Sequence, residues 1–458
     1  MKTSIISICI IIWLLSVVSI SWLTKSVVTR NKNFNEATVK SVEIISSAPN
    51  YVVETFRTLS SAAKSEPTRF LSERTGLVSC QNDLNFPCPE DDGYLLFTGL
   101  HPITHQGYVE LIKISTGKPV KQWFPDWGRI TKELELNQHR SAKLTAIQPL
   151  AGHPLINNDG DLAFLCADSI VTMKSGSISN YTISKVSAHH SVELANDGQH
   201  YITPGYARTS FEANSYLSKK ISWCDSVLKI SLDGKVVENV PFYKILEHNN
   251  IDGIVFGRSG VREIDDDLIH INQISVAPKN GRAWNKDDLL ISARHLSEIF
   301  LYRPKENKIV WRRSGPWKNQ HSVHFVSDNQ IALFDNNVFG FDVKRSKEHN
   351  FVSTNDINRI FVIKFNENDV VDTEPFKDIL KLECVRPQTV TQGRARVLPD
   401  GGVFIEETNF GRHLRLSQNG LMWVKNNRYD TARNGIVSWS RYFTKEEGLA
   451  VVKKLEAQ

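Results

Sequence analysis

The stretch "HINQISVAPKNGRAWNKDDLLISARHLSEIFLYRPKENKIVW", residues 270–311, holds two hairpins in succession. The first turns near Arg282, after Asn280 and Gly281, and the second turns at Asn307. Gly and Asn suit tight turns because they tolerate the positive φ that such turns need. Between the turns the chain is apolar and β-branched, as in Leu289 to Ile291 and Ile299 to Leu301. Four antiparallel strands follow from this one stretch.

The same alternation runs through the chain. Hairpins of the second kind are "LIKISTGKPVKQW", "SIVTMKSGSISNY", "VLKISLDGKVVEN", "IFLYRPKENKIVW", "IFVIKFNENDVVD" and "HLRLSQNGLMWVK". Their turns fall at Gly117, Gly176, Gly234, Asn307, Asn368 and Gly420, 52 to 73 residues apart. A hairpin of the first kind precedes each: "PEDDGYLLFTG", "HPLINNDGDLAFL", "HHSVELANDGQHYI", the stretch from His270, "HSVHFVSDNQIALF" and "ARVLPDGGVFIE". Two hairpins per period give four strands, and there are six periods. A four-stranded unit repeated at a steady interval is the pattern of a β-propeller. A β-sandwich of hairpins would not need two alternating hairpin types. The expected fold class is all-β, a six-bladed β-propeller over residues 76–445.

The N-terminus reads differently. Between Lys2 and Lys25 no residue is charged, and the run contains "IISICIIIWLLSVVSISWL". At about 1.5 Å per residue, a helix of this length crosses a hydrocarbon core about 30 Å thick. A cleaved signal peptide is the alternative, but no small-residue cleavage site follows the apolar run. The expectation is an uncleaved transmembrane anchor at residues 1–24. Residues 25–75 carry apolar positions at helical spacing (Val52, Phe56, Leu59) and read as a short helical stalk. A C-terminal helix is expected at 446–458.

Composition excludes some functions. The chain has 458 residues, 41% hydrophobic and 23% charged, with 55 Lys plus Arg against 50 Asp plus Glu. The basic residues are scattered, so no nucleic-acid footprint is present. Cys80 and Cys88 bracket "CQNDLNFPC" and suggest a disulfide clip and an oxidising compartment, while Cys166, Cys224 and Cys384 read as core thiols. No C-x-x-C supports a zinc ribbon.

In a propeller the first strand of each blade lines the central channel. Four of the six first strands open with histidine: His153, His190, His270 and His321. Their spacing from the turns puts them at one level, near one mouth. Residues two apart on a strand share a face, so His270 and Asn272 point the same way. Reflection about the turn at Arg282 returns Arg294 to the level of His270, Asn336 comes back beside His321, and Arg208 reaches the rim. A lone histidine at a strand start is usually structural. The same register in separate blades is not what independent structural histidines produce.

Two chemistries fit such a funnel. His153, His190, His270 and His321 could ligate a metal ion. Alternatively one imidazole is a nucleophile while Arg and Asn stabilise anionic oxygens. Arg294 favours the second, because a permanent cation beside a divalent metal is unfavourable, whereas beside a sulfuryl or phosphoryl group it matches the charge. Asp335 is the one carboxylate among the inferred rim residues. A third reading is a non-catalytic anchored propeller that binds anionic ligands or another protein. Trp284, Trp317, Tyr206 and Phe339 fall in loops near the inferred mouth and are candidates for stacking on an aryl ring.

"HHSVELANDG", "IHINQISVAP", "DLLISARHLSEIFLYRPKENKIVWR", "NQHSVHFVSDNQIALFDNN" and "RARVLPDGGVFIEETNFGRHLRLSQNGLMW" resemble the bacterial arylsulfate sulfotransferases that work without a nucleotide donor. The likeness runs from about Gly93 to Trp423. It implies a six-bladed propeller that moves a sulfuryl group from an aryl sulfate ester to a phenolic acceptor, ping-pong, through a covalent sulfohistidine. By the same resemblance His321 is the nucleophile, His270 and Asn272 contact sulfuryl or ester oxygens, Arg294 neutralises charge, and His190 assists proton transfer or oxygen binding. Neither cofactor nor metal is implied, and no G-x-x-x-x-G-K-[ST] loop occurs. The expected partners are the aryl sulfate, the phenol and, through the anchor, a membrane, with room for a homodimer. The expected location is the extracytoplasmic, periplasmic side.

Overall fold

The computed structural model describes residues 71–73, 84–135, 150–174, 181–184, 186–208, 223–258, 267–338, 340–343, 350–353 and 356–457. Six four-stranded antiparallel sheets are present among them. The second blade runs Gly152–Ile156, Leu162–Cys166, Ser169–Met173, Tyr181–Ser184, and the third runs Glu193–Leu194, His200–Arg208, Trp223–Ser231, Val236–Pro241. The fourth is Ile271–Val276, Leu289–Ala293, Glu298–Arg303, Lys308–Ser314. The fifth is Gln320–Phe325, Gln330–Asp335, Arg359–Phe365, Val370–Thr373, and the sixth is Arg394–Val397, Val403–Glu407, Arg412–Ser417, Gly420–Asn426.

The first blade differs from the sequence expectation. Tyr94–Leu100, Gly107–Lys113 and Lys118–Trp123 are its second, third and fourth strands, and its innermost strand is Arg441–Phe443 from the far end of the chain. "PEDDGYLLFTG" therefore contains no inner strand. The pairing of Tyr94 with Phe443 and Leu96 with Arg441 closes the ring.

Packing explains why the number is six. Each blade buries both faces of its second strand against its two neighbours, and each junction has its own apolar core. Between the fourth and fifth blades that core contains Trp284, Leu290, Ile299, Trp317, Val323, Leu333 and Phe361. Equivalent cores lie at the junctions of blades one and two, two and three, three and four, and five and six. Leu95, Phe97, Phe404, Trp423 and Tyr442 fill the junction of the sixth blade with the first. Six cores, each between consecutive blades, require a closed ring of six. The outer strands face water, as the exposed run in Lys118–Trp123 shows.

Several expectations are corrected or fall outside the described residues. Leu71–Glu73, at the end of the segment read as helical stalk, is a strand paired with Arg433–Gly435. The rest of that segment and the anchor at 1–24 lie outside the described residues, among which no helix is long and apolar enough to cross a membrane. An extra hairpin, Gly340–Val343 with Asn350–Ser353, interrupts the fifth blade. The helix Lys445–Glu456 follows the closing strand, capped by Thr444 and Glu447. Cys88 is a free, buried thiol, so it takes no part in a clip with Cys80. Cys384, read as a core thiol, is disulfide-bonded to a partner outside the described residues.

Candidate functional site

Each inner strand begins through a residue with left-handed backbone. These are Trp439 (φ 59°), His153 (φ 55°), His190 (φ 56°), His270 (φ 56°), Asn319 (φ 53°) and Gln392 (φ 63°). Such a conformation costs a non-glycine residue about 1–2 kcal/mol, so something must hold it. In four cases that support is a hydrogen bond donated by the residue's backbone N–H to a group preceding it around the ring. His270 donates to Asp225 Oδ2 at 2.7 Å, and Asn319 to Ser297 Oγ at 3.1 Å. Trp439 donates to Glu406 Oε1 at 3.0 Å, and His153 to the Ser438 carbonyl at 3.1 Å.

A second set of cross-blade bonds fixes the register. Ser191 Oγ, Gln273 Oε1 and Ser322 Oγ accept from the backbone N–H of Ile274, Val323 and Ala395 respectively, each on the next blade. The residues just before them, His190, Asn272 and His321, are therefore equivalent positions of blades three, four and five. His270 lies two residues upstream of that level, at the loop end of its strand. The expectation that His270 and His321 share one level is corrected, and Asn272 takes that place. The fourth and fifth blades carry matching bulges at this level, between Ile271 and Gln273 and between Gln320 and Val323.

The side chains converge. The His190 ring centroid is 4.7 Å from His270 and 5.9 Å from His321. Trp439 lies 5.4 Å from His321 and 4.9 Å from His153, with the Arg394 guanidinium 4.8 Å from its ring centre. Arg294 donates its backbone N–H to the His270 carbonyl at 2.9 Å, and its guanidinium acts electrostatically on His321. His190, His270, Asn272, Arg294 and His321 thus gather at one end of the channel. Asn272 is fully buried, and its Nδ2 donates to the Gln320 carbonyl at 3.3 Å.

Buried polar atoms normally have partners, because an unmade hydrogen bond in a dry site costs about 1–3 kcal/mol. The rule fails at several places among the described residues, and six of the orphaned atoms border this site. His153 Nδ1, Asn272 Oδ1, Arg294 Nε, His321 Nδ1, Arg394 Nε and Trp439 Nε1 are buried without a partner among the described residues. Nor does any carboxylate among those residues pair with Arg294 or Arg394. Such a cluster of orphaned groups around two guanidiniums is arranged for a polar, anionic occupant.

Burial sets the protonation states. It drives the His321, His190 and His153 imidazoles well below the usual histidine range. Neighbouring charge adds to this: Arg294 at His321, His189 at His190, and Arg441 and Arg394 at His153. Burial also brings Arg394 down to about 10, where it is still a cation at neutral pH. His270 differs from these imidazoles in touching a carboxylate, with Nδ1 2.5 Å from Asp267 Oδ2. Burial is the largest influence on Asp267 and opposes its ionisation, yet the His270 hydrogen bond together with the charges of His270, His295 and His189 outweighs it and lowers the carboxyl pKa.

The four-histidine metal set is not what the geometry brings together. Among the described residues, the potential ligand atoms within 4.8 Å of one another belong to Asp267, His270 and His295, which share only His270 with that set. The His270 and His295 rings stack at 4.5 Å and 26°, so their in-plane lone pairs run side by side. His295 Nδ1 is already on the Asp267 carbonyl at 2.6 Å.

Other candidates are placed elsewhere. Trp284 and Trp317 are buried in the core between blades four and five, away from any aryl site. Tyr206 stacks on His189 at 4.2 Å, and Phe339 lies outside the described residues, as does the Arg208 side chain. Asn336 is buried and donates to the Thr389 and Gln392 carbonyls, fixing the loop before the sixth inner strand. Asp335 is paired with Arg359 at 2.7 Å. Residues the sequence reading missed are Trp439, Arg394 and Asp267. Arg394 opens "RARVLPDGG" at the position equivalent to Ser322, one residue beyond the level of His321, so alignment with the histidines did not single it out. Trp439 was hidden because the closing strand comes from outside the repeat.

A family model described as Arylsulfotransferase (ASST) matches residues 156–428. Among solved structures, a protein of unknown function from Bacteroides caccae is 11% identical, with 77% of this chain and 99% of that chain covered and a TM-score of 0.43. Kuenenia stuttgartiensis hydrazine synthase is 11% identical, with 70% and 76% covered and a TM-score of 0.39. Virginiamycin B lyase from Staphylococcus aureus is 10% identical, with 78% and 87% covered and a TM-score of 0.35. No curated protein matches.

Proposed function

Because this chain belongs to the arylsulfotransferase family, we propose that it transfers a sulfuryl group from an aryl sulfate ester to a phenol through a covalent intermediate on His321. The observation that carries this reading is the meeting of a neutral imidazole bearing an unpartnered nitrogen with a guanidinium that has no carboxylate in ion-pair contact, both among the described residues. The His321 ring is hydrogen-bonded to the backbone of Gly393, which leaves Nδ1 without a partner among the described residues. Its lone pair is then available to attack sulfur, and burial keeps the ring unprotonated. The sulfuryl oxygens carry the charge that Arg294 neutralises, with the Asn272 amide, His270 and His190 supplying further polar contacts. At 1% exposure His321 is shielded from bulk water, which favours passing the group to a phenol over hydrolysis.

The test is a two-substrate assay. Incubated with 4-nitrophenyl sulfate and phenol, the protein should release nitrophenolate and form phenyl sulfate in equal amounts, with parallel-line ping-pong kinetics. Absence of turnover with any aryl sulfate would contradict the reading.

We also propose that the propeller faces an oxidising, extracytoplasmic compartment behind an anchor at residues 1–24. The disulfide at Cys384 supports this, since such bonds persist mainly in oxidising compartments. The full chain is then expected to stay with membranes through an alkaline wash and to be digested by protease admitted to the periplasm. Recovery in the soluble cytoplasmic fraction, or protection from that protease, would contradict it.

A further inference from the structure

One imidazole in the cluster is built differently from the rest. His153, His190 and His321 have no carboxylate contact among the described residues, whereas the His270 ring is fixed on several sides. Asp267 Oδ2 lies 2.5 Å from its Nδ1. His295 stacks on its face at 4.5 Å, and is itself held by its Nδ1 on the Asp267 carbonyl. His190 meets the ring edge-on at 4.7 Å. The backbone at His270 is pinned by its N–H on Asp225 Oδ2 and by its carbonyl accepting from Arg294. The charged and titratable groups around it are therefore Asp267, Asp225, His295, His190, Arg294 and, acting electrostatically, His321 and (through Asp267) His189.

A carboxylate in contact with Nδ1 does two things. It fixes the tautomer with the proton on Nδ1, leaving Nε2 as the atom that exchanges protons, and it stabilises the imidazolium when Nε2 is protonated. Transfer between phenols needs such a group. When the His321 nitrogen bonds to sulfur and the S–O(aryl) bond breaks, the departing phenolate must be protonated unless it is already a weak base. When the acceptor phenol attacks, its proton must leave as the N–S bond breaks.

We propose that Asp267 is a positioning residue that makes His270 the proton carrier of the transfer, opening the site to aryl sulfates whose leaving phenols are weak acids. In the first half, His270 Nε2–H gives its proton to the departing oxygen and becomes neutral. In the second, Nε2 takes the proton of the acceptor hydroxyl and the imidazolium is restored against Asp267. Protons balance over the two halves, and no other reactant is required. This inference rests on the sulfotransferase reading and adds a substrate range to it.

The test compares two donors, 4-nitrophenyl sulfate and phenyl sulfate, in wild type and in Asp267→Asn, with circular dichroism and melting temperature to establish folding. Nitrophenolate leaves without help, so its first-turnover release should change by less than about threefold. Phenol release should fall about 100-fold, the usual scale of general acid catalysis. Asp267→Glu should restore part of the phenyl sulfate rate alone. Equal losses with both donors would show a merely structural role and overturn the proposal. If Asp267→Asn does not fold, the wild type still decides. Release across a series of substituted phenyl sulfates should depend weakly on leaving-group acidity, and a steep dependence overturns the proposal. A wild type that transfers from neither donor overturns the sulfotransferase reading as well.

Discussion

His321→Ala is expected to abolish sulfuryl transfer, lowering turnover with 4-nitrophenyl sulfate by at least about 10⁴-fold, the scale seen when a covalent nucleophile is removed. The loss should fall on kcat, and the first-turnover burst of nitrophenolate should vanish. A general-base role for His321 would leave a slow but real burst, since the covalent step would persist. The substitution also empties a fully enclosed position, 1% exposed, and removes the partner of the Gly393 backbone. That costs about 1–3 kcal/mol. A melting curve on the same preparation separates lost chemistry from lost fold, and His321→Asn, which keeps a polar side chain there, should be equally inactive.

Arg294→Met is the second large effect, with an opposite signature in stability. The Arg294 guanidinium is mostly buried, has no carboxylate pair among the described residues, and leaves Nε unsatisfied. Burial lowers its pKa despite the help of Asp267, which says that the fold holds this cation at a cost. An apolar residue of similar length removes that desolvation penalty, so the variant should be as stable as the wild type or more so. Activity should fall by about 10²- to 10³-fold, the usual loss when one preorganised donor to a developing oxyanion is removed. Arg294→Lys should recover little, because an ammonium cannot present two parallel N–H groups to a sulfuryl group. Checking both properties is decisive: urea unfolding for stability, kcat/KM for transfer. A variant that loses stability and activity together would mark Arg294 as structural.

The repeat was legible because hairpins are local. Turn residues such as Gly234 and Asn307 announce themselves within a dozen positions, and alternating hairpin types give the four strands of a blade. The closing strand Arg441–Phe443 was not legible, since it pairs with Tyr94–Leu96 from the opposite end of the chain. That one non-local pairing also concealed Trp439, whose indole borders His321 and His153. The histidines could be read as a group because each opens a first strand, and hairpin reflection put Arg294 beside His270. Their depth could not, because it depends on the bonds that Ser191, Gln273 and Ser322 accept from the following blade. Asp267 escaped for a related reason. It lies three residues before His270 on a loop, where the backbone turns left-handed at His270 and the carboxylate meets Nδ1. The disulfide shows the same limit: proximity of Cys80 to Cys88 in sequence did not predict that Cys88 is free and Cys384 bonded.

The covalent step can be read directly by weighing the protein. Wild type mixed briefly with excess 4-nitrophenyl sulfate, without acceptor, should gain the mass of one sulfuryl group, located by peptide mapping on His321 and lost again when phenol is added. A chain that turns over donor yet gains no mass, or carries the added group on any other residue, would contradict the account.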